Sequence, residues 1–400
     1  MPWARPLDHA LSNLKKLVQA PVRLVLWDGR ELALSESPSV TVRLKDARAA
    51  AALARPSLLT LAEAYIEGQA ELEGDLRVAI RSAEALSRAR DTRLFDARHT
   101  NGRHSKRVDR DAIRHHYDVS NAFYALWLDP RMVYSCAYFR NEDDGLEQAQ
   151  LQKLDHICRK LALRPGEKFL DIGCGWGALV MRAAEKYGVD ATGITLSENQ
   201  FRLANERIEA AGLQDRCRVL LQDYRDHPGD GSYDKIASVG MFEHVGLRNL
   251  PVYFGAVTRL LRERGLFLNH GICTSDTRNG SVGMGGGEFI GRYVFPHGEL
   301  PHLHRVVHDM SDQDLEVHDV ESLRWHYAKT LGHWSDNFER RFGEAAAAAG
   351  ERTARIWRVY LAGCAHAFEE RWITIFQILA SKQAKPGRAD IPLTREYMYR

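Results

Sequence analysis

The fold class the sequence predicts is α/β: a parallel sheet of Rossmann type, with a small α+β unit in front of it. Three observations predict it. The first is KFLDIGCGWG at 168–177, which reads as a short buried strand entering a turn with glycines at 173, 175 and 177. The second is alternation, since runs suited to strands recur at 191–195, 218–221, 233–239 and 266–268 with helical stretches between them. The third is that these runs lead into residues with chemistry: Asp171, Thr195, Asp223, Glu243 and His270. Ligands of open α/β sheets bind beyond the carboxyl ends of the strands, so this convergence predicts a site there.

The glycine turn comes first because the rest is arranged around it. It brings a ligand against bare amides at the N-terminus of the following helix, which begins at Ala178. Glycines alone require only a tight turn. The D-x-G-C-G-x-G form beginning at Asp171, set between a strand and a helix, favours S-adenosylmethionine over a dinucleotide.

The other elements follow in chain order. A short amphipathic helix is predicted within 1–20, then strands at 22–26 and 39–44 around the Asp28-Gly29 turn, then helices at 47–54 and 58–67. These make an N-terminal domain over 1–90, joined by a basic linker at 91–111 to a domain spanning 112–400. An aromatic segment at 115–139 precedes a helix at 145–161 that stops before Pro165-Gly166. Ser197-Glu198-Asn199-Gln200 has the spacing of a capping box, and Gly212 ends the helix it opens. The glycine-rich stretch 280–287 reads as a mobile lid. Trp357, Leu361, Cys364, Phe368, Trp372, Ile375 and Leu379 recur at three- and four-residue steps, predicting one long final helix that is core or the face of a homodimer, with a membrane-surface helix as the alternative.

Composition narrows the function classes. No run of 18 apolar residues is present, and the first residues lack a signal-peptide core. Six scattered cysteines without a CxxC pair fit a reducing cytoplasm. His297, His302, His304 and His308 match no zinc spacing, so no metal is expected. Net charge is +2, yet residues 77–114 hold eleven Lys/Arg against five Asp/Glu. Such a segment is either a solvated linker or a face for anionic lipid; nucleic acid is not expected as a partner.

At 115–139 the sequence ceases to be generic. HHYDVSNAFYALWLDPRMVYSCAYF closely resembles the matching segment of the cyclopropane-fatty-acyl-phospholipid synthases, relatives of the mycolic acid cyclopropane synthases. LDIGCGWGALV, GITLSENQ, LLQDYRD, VGMFEHVG, RYVFPHGELP and HYAKTL follow in that family's order. The resemblance implies a Rossmann-like class I methyltransferase sheet with a lid region. It also implies methylene transfer from S-adenosyl-L-methionine to the cis double bond of unsaturated fatty acyl chains in phospholipid. The protein would then be cytoplasmic and peripherally associated with the inner membrane.

Site residues carry over by motif. The resemblance implies a bicarbonate base held by Cys136, Glu243, His270, the backbone of Ile272, and Tyr327. It places the donor against Tyr134 and Ser135, against Asp171, Gly173, Gly175 and Gly177, and against Thr195, Leu196 and Gln200, with Tyr224 and Arg225 near the adenine. Thr195 stands where an acidic residue usually meets the ribose; this family also has Thr there, and Gln200 is the candidate for that contact. Three alternatives stay open: a fatty-acyl methyltransferase leaving a methyl or methylene branch, an amine N-methyltransferase on the same scaffold, and a cofactor-binding protein without catalysis.

Overall fold

The computed structural model describes residues 18–54, 56–89, 93–96, 120–296, 298–384 and 387–400. The expected N-terminal helix, most of the linker and residues 115–119 lie outside these. The N-terminal domain is a four-stranded sheet of β1 (Val22–Val25), β2 (Glu31–Ala33), β3 (Val40–Leu44) and β4 (Ala70–Glu73), in the order β2-β1-β3-β4. Helices Ala47–Ala54, Leu58–Ile66 and Leu76–Arg88 pack on it. Ser57 opens the second with a reciprocal capping box to Thr60, and Asp75 caps the third. A short β5 (Phe95–Asp96) follows.

The large domain is built on β6 (Lys168–Ile172), β7 (Asp190–Thr195), β8 (Cys217–Leu221), β9 (Tyr233–Val239) and β10 (Leu261–Thr274). These five run parallel. Alternate residues explain why helices cover both faces: Phe169, Ala191, Val219 and Leu268 pack toward helices Leu146–Lys160 and Ala178–Tyr187. Leu170, Ile194, Ile236 and Phe267 pack toward helices Leu250–Leu260 and Leu303–Ser311. A strand buried on both sides reads as a near-continuous apolar run, as these do.

Beyond them come β11 (Ser281–Val282), β12 (Leu315–Ser322) and β13 (Ile373–Lys382). β12 and β13 extend the sheet antiparallel, giving the order β12-β13-β10-β9-β6-β7-β8. This corrects the expected final helix, which stops at Glu369. Arg371 takes a left-handed φ of +58° and the chain reverses into β13. Trp372, Ile375 and Leu379 satisfy helical spacing, but Ile373, Ile375, Gln377 and Leu379 also alternate as the buried face of a strand does.

The glycine-rich stretch is likewise no free lid. β11 pairs with β5, and the Leu58 amide donates to the Met284 carbonyl at 2.7 Å. Gly285, with φ +86°, lies so close to the Leu58–Ile66 helix that an added Cβ would meet Leu59 at 2.8 Å. Its glycines therefore let the two domains touch.

Candidate active site

The 132–139 segment carries Tyr134, Ser135 and Cys136 over the carboxyl edge of the sheet as extended chain with few backbone partners of its own. Side chains supply them. Buried Asp129 accepts from the Val133 amide at 2.8 Å, and Gln150 donates to the Ser135 carbonyl at 2.9 Å. Thr330 accepts from the Ala137 amide at 3.0 Å. Phe123, Tyr124 and Trp127, fully buried, anchor the preceding turn on Trp334 and Trp357. The segment forms a fixed roof.

Beneath it lies a cavity of about 140 Å³ whose wall contains Tyr134, Ser135, Asp171, Gly173, Gly175, Thr195, Leu196, Gln200, Tyr224 and Arg225. Ten of the eleven expected donor-site residues thus meet at one place. Gly177 does not. It caps the Ala178–Tyr187 helix at φ +82°, where an added Cβ would meet Ala204 at 3.2 Å. The capping box forms only halfway. Ser197 accepts from the Gln200 amide, but the Gln200 side chain accepts from Thr195 Oγ1 at 2.7 Å instead of reaching back. Thr195 Oγ1 in turn accepts from the Ser197 amide, which locks Gln200 against the end of β7. Arg225 folds back on Asp223 in a two-pronged pair at 2.9 and 2.6 Å.

Asp171 is the electrostatic centre of this cavity. Burial pushes its carboxyl up to about 7, against the pull of Lys153, and its Oδ1 has no partner among the described residues. A cationic ligand would satisfy that oxygen and restore its ionisation. Lys153, which sequence reasoning missed, is fully buried and donates to Ser135 Oγ at 2.8 Å. Burial lowers it to about 8, opposed by Cys136, Asp129 and Asp171. A lysine within the apolar stripe of the Leu146–Lys160 helix was the signal that could have found it.

A second cavity, of about 720 Å³, meets the first at Tyr134, Ser135, Gly240 and His244. Cys136, Glu243, His270, Ile272 and Tyr327 all line it. His270 is not at a strand end, as expected, but inside β10; it pairs with Val239, where β9 stops, so it still marks the edge of the parallel sheet. Ile272 differs from expectation too: its amide is committed to Glu243 Oε1 at 2.7 Å. The other carboxylate oxygen, Oε2, is buried without a partner among the described residues, as is His270 Nε2.

The protonation states are set by burial. Glu243 is pushed up to about 7, with the Ile272 amide pulling the other way. His270 is held well below its ordinary value by burial and by Lys153 and Lys160. Gln377 Nε2 donates to His270 Nδ1 at 3.1 Å, leaving the ring proton on the orphaned Nε2. Burial keeps the Cys136 thiol and the Tyr327 phenol protonated. A small oxyanion fits this donor set, because His270 Nε2–H and a protonated Glu243 Oε2 would each find an acceptor.

The model of the mycolic acid cyclopropane synthetase family matches residues 104–378. The chain belongs to this family. A second family model, of a domain of unknown function, matches residues 11–90. A probable fatty acid methyltransferase of Pseudomonas putida is 52% identical over 98% of this chain and 99% of its own. The cyclopropane-fatty-acyl-phospholipid synthase of Escherichia coli K12 is 39% identical over 68% of each chain. Among solved structures, a mycolic acid cyclopropane synthase complexed with SAH and CTAB is 36% identical, with a TM-score of 0.65 over 68% of this chain and 98% of that one. The family member described here is therefore an S-adenosylmethionine-dependent methyltransferase of the cyclopropane synthase type, on a class I methyltransferase sheet. Among the described residues no helix is long and apolar enough to cross a membrane.

Proposed function

We propose that the enzyme transfers a methylene group from S-adenosylmethionine to the cis double bond of an unsaturated phospholipid acyl chain, closing a cyclopropane ring. The carrying observation is a pair of orphaned polar atoms, Glu243 Oε2 and His270 Nε2, on the wall of a large cavity that adjoins the donor's. An amine substrate would have no need of them.

The sulfonium donor supplies an electrophilic methyl group that departs without a base. An isolated alkene is a poor nucleophile, so placement and exclusion of water must supply much of the rate. The fixed roof provides both. Positive charge left on the chain would lie near the rings of Tyr134, Tyr327 and Phe368, all on the cavity wall. Ring closure then requires a proton to leave the transferred methyl. Bicarbonate, held by Glu243 and His270 with Cys136 and Tyr327 beside it, would supply the base. The substrate is a bilayer lipid, so peripheral attachment to the membrane is part of this reading.

A second reading, a fatty-acyl methyltransferase that leaves a branch, is favoured by the 52% identity to the Pseudomonas putida protein so named. Both readings share one cation and differ in where the proton is lost. Mass spectrometry of acyl chains from vesicles incubated with enzyme and donor separates them, because the added carbon appears as a ring, a methyl or a methylene. Product with no acyl change and a methylated headgroup would overturn both.

A further inference from the structure

The 720 Å³ cavity does not end in the methyltransferase domain. From Glu243 and His270 it passes the 280–287 stretch and enters the N-terminal domain. There it lies between the sheet and the Leu76–Arg88 helix, walled by Val22, Leu24, Leu34, Ile80, Ala83 and Leu86. Ile80 and Ala83 are only half-buried, although they are cavity-lining residues of a small domain that needs every apolar contact. Protein interiors are normally filled, and open apolar space costs stability in proportion to its volume. An interior left hollow and open toward a reaction site is the signature of a ligand-holding space.

The hollow is held in place. Arg355, buried, donates to the Tyr65 carbonyl at 2.8 Å and to Glu71 at 2.9 Å. Glu84 and His366 meet at 2.6 Å in a buried pair, and Leu58 and Gly285 hold the glycine stretch to the same domain. Glu71 also lines the cavity, where Arg355 and Lys45 pair its charge. Two hydroxyls also lie on this wall, and both are engaged: Ser82 Oγ donates to the Val78 carbonyl at 2.8 Å and Tyr65 accepts from Arg358 at 2.6 Å, and the remaining wall is aliphatic. An ester or phosphate would find no partner there and would carry its desolvation cost uncompensated, whereas a hydrocarbon chain costs nothing to hold.

We infer that the interior of the N-terminal domain is the distal part of the substrate site, receiving the methyl-terminal half of the acyl chain and setting which chain lengths are accepted. The inference rests on the acyl-chain reading above and goes beyond it by giving the smaller domain a task.

The test uses the full-length enzyme with Ala83→Phe, which fills the hollow, and Ile80→Ala, which deepens it. Substrates are phosphatidylglycerol vesicles mixed with equal amounts of fourteen-, sixteen- and eighteen-carbon cis-monoenoic chains. Because one methylene in an apolar pocket is worth roughly tenfold or more, Ala83→Phe should shift the product ratio toward the shortest chain by at least that factor. Ile80→Ala should shift it toward the longest, which keeps the test decisive if Ala83→Phe fails to fold. Calorimetry with free cis-octadecenoate supplies an arm independent of turnover, and Ala83→Phe should weaken that binding by a similar factor. Normal turnover with an unchanged length ratio in the folded variants would overturn the inference. Weakened fatty-acid binding in an enzyme that modifies no acyl chain would uphold the hollow and reject the reaction.

Discussion

Glu243→Gln offers the sharpest test of the base-site geometry, because charge and shape separate there. Burial raises the Glu243 carboxyl from 4.5 to about 7. At roughly 1.36 kcal/mol per pKa unit, keeping it ionised costs the ligand-free protein ~3 kcal/mol. The folded value is the higher one, so this cost is absent below pH 4.5, grows as pH rises, and is complete above about 7. Gln retains an oxygen for the Ile272 amide, now bonded at 2.7 Å, and never ionises. The variant should match the wild type near pH 4.5 and gain up to ~3 kcal/mol at pH 8. With an unfolding entropy of roughly 2 cal/mol/K per residue, that gain over a 400-residue chain raises Tm by about 4 °C. Turnover should fall by roughly a hundredfold or more, the scale of lost acid–base assistance, with donor affinity unchanged. Calorimetric unfolding at the two pH values and a methyl-transfer assay check both halves. A Tm difference that ignores pH, together with full activity, would refute the reasoning.

Donor binding should itself depend on pH. An ammonium placed against Asp171 favours its carboxylate, so binding should release a proton and Kd should tighten by roughly tenfold per unit as pH rises toward about 7; a flat calorimetric profile speaks against that contact. Gly175 lines the donor cavity at φ +56°, and an added Cβ would meet no atom within 4 Å. Gly175→Val should therefore keep its circular dichroism and lose donor binding, through a strained backbone and a side chain in the ligand's space. Gln377→Leu removes the bond to His270 Nδ1. It should lower turnover and move the acid limb of its pH profile while leaving donor affinity alone; an unmoved profile would make Gln377 merely structural. Vesicle co-sedimentation should weaken with salt if the basic excess at 77–114 contributes, and equal binding to neutral vesicles at high salt would remove that role.

That ten of the expected residues line one cavity was legible because the segment that carries most of them is local. A strand, a glycine turn and a helix occupy twenty consecutive residues, and each strand end lies one helix from the next. What stayed hidden depends on distant pairing. Gln377 sits in the mainly apolar run ITIFQILA, a buried amide whose partner is 107 positions away across β10 and β13. The same run continues a helical spacing from Trp357, and only the left-handed turn at Arg371 ends the helix. Gln200 had the spacing of a capping residue, yet a nearer hydroxyl on Thr195 took its side chain. The glycines at 280–287 suggested motion because the surface they serve lies in another domain.

The family model begins at residue 104, and the mycolic acid cyclopropane synthase structure matches only 68% of this chain while being almost wholly covered itself. The donor turn, the roof and the orphaned pair all come from beyond residue 120. The smaller domain adds mainly aliphatic wall and a buried seam. Inheritance can therefore treat the two unequally. A catalytic half that travels alone must close the far end of its cavity by some other means. On the acyl-chain reading proposed above, drift among a few aliphatic positions before residue 90 would retune which chains fit without touching the chemistry.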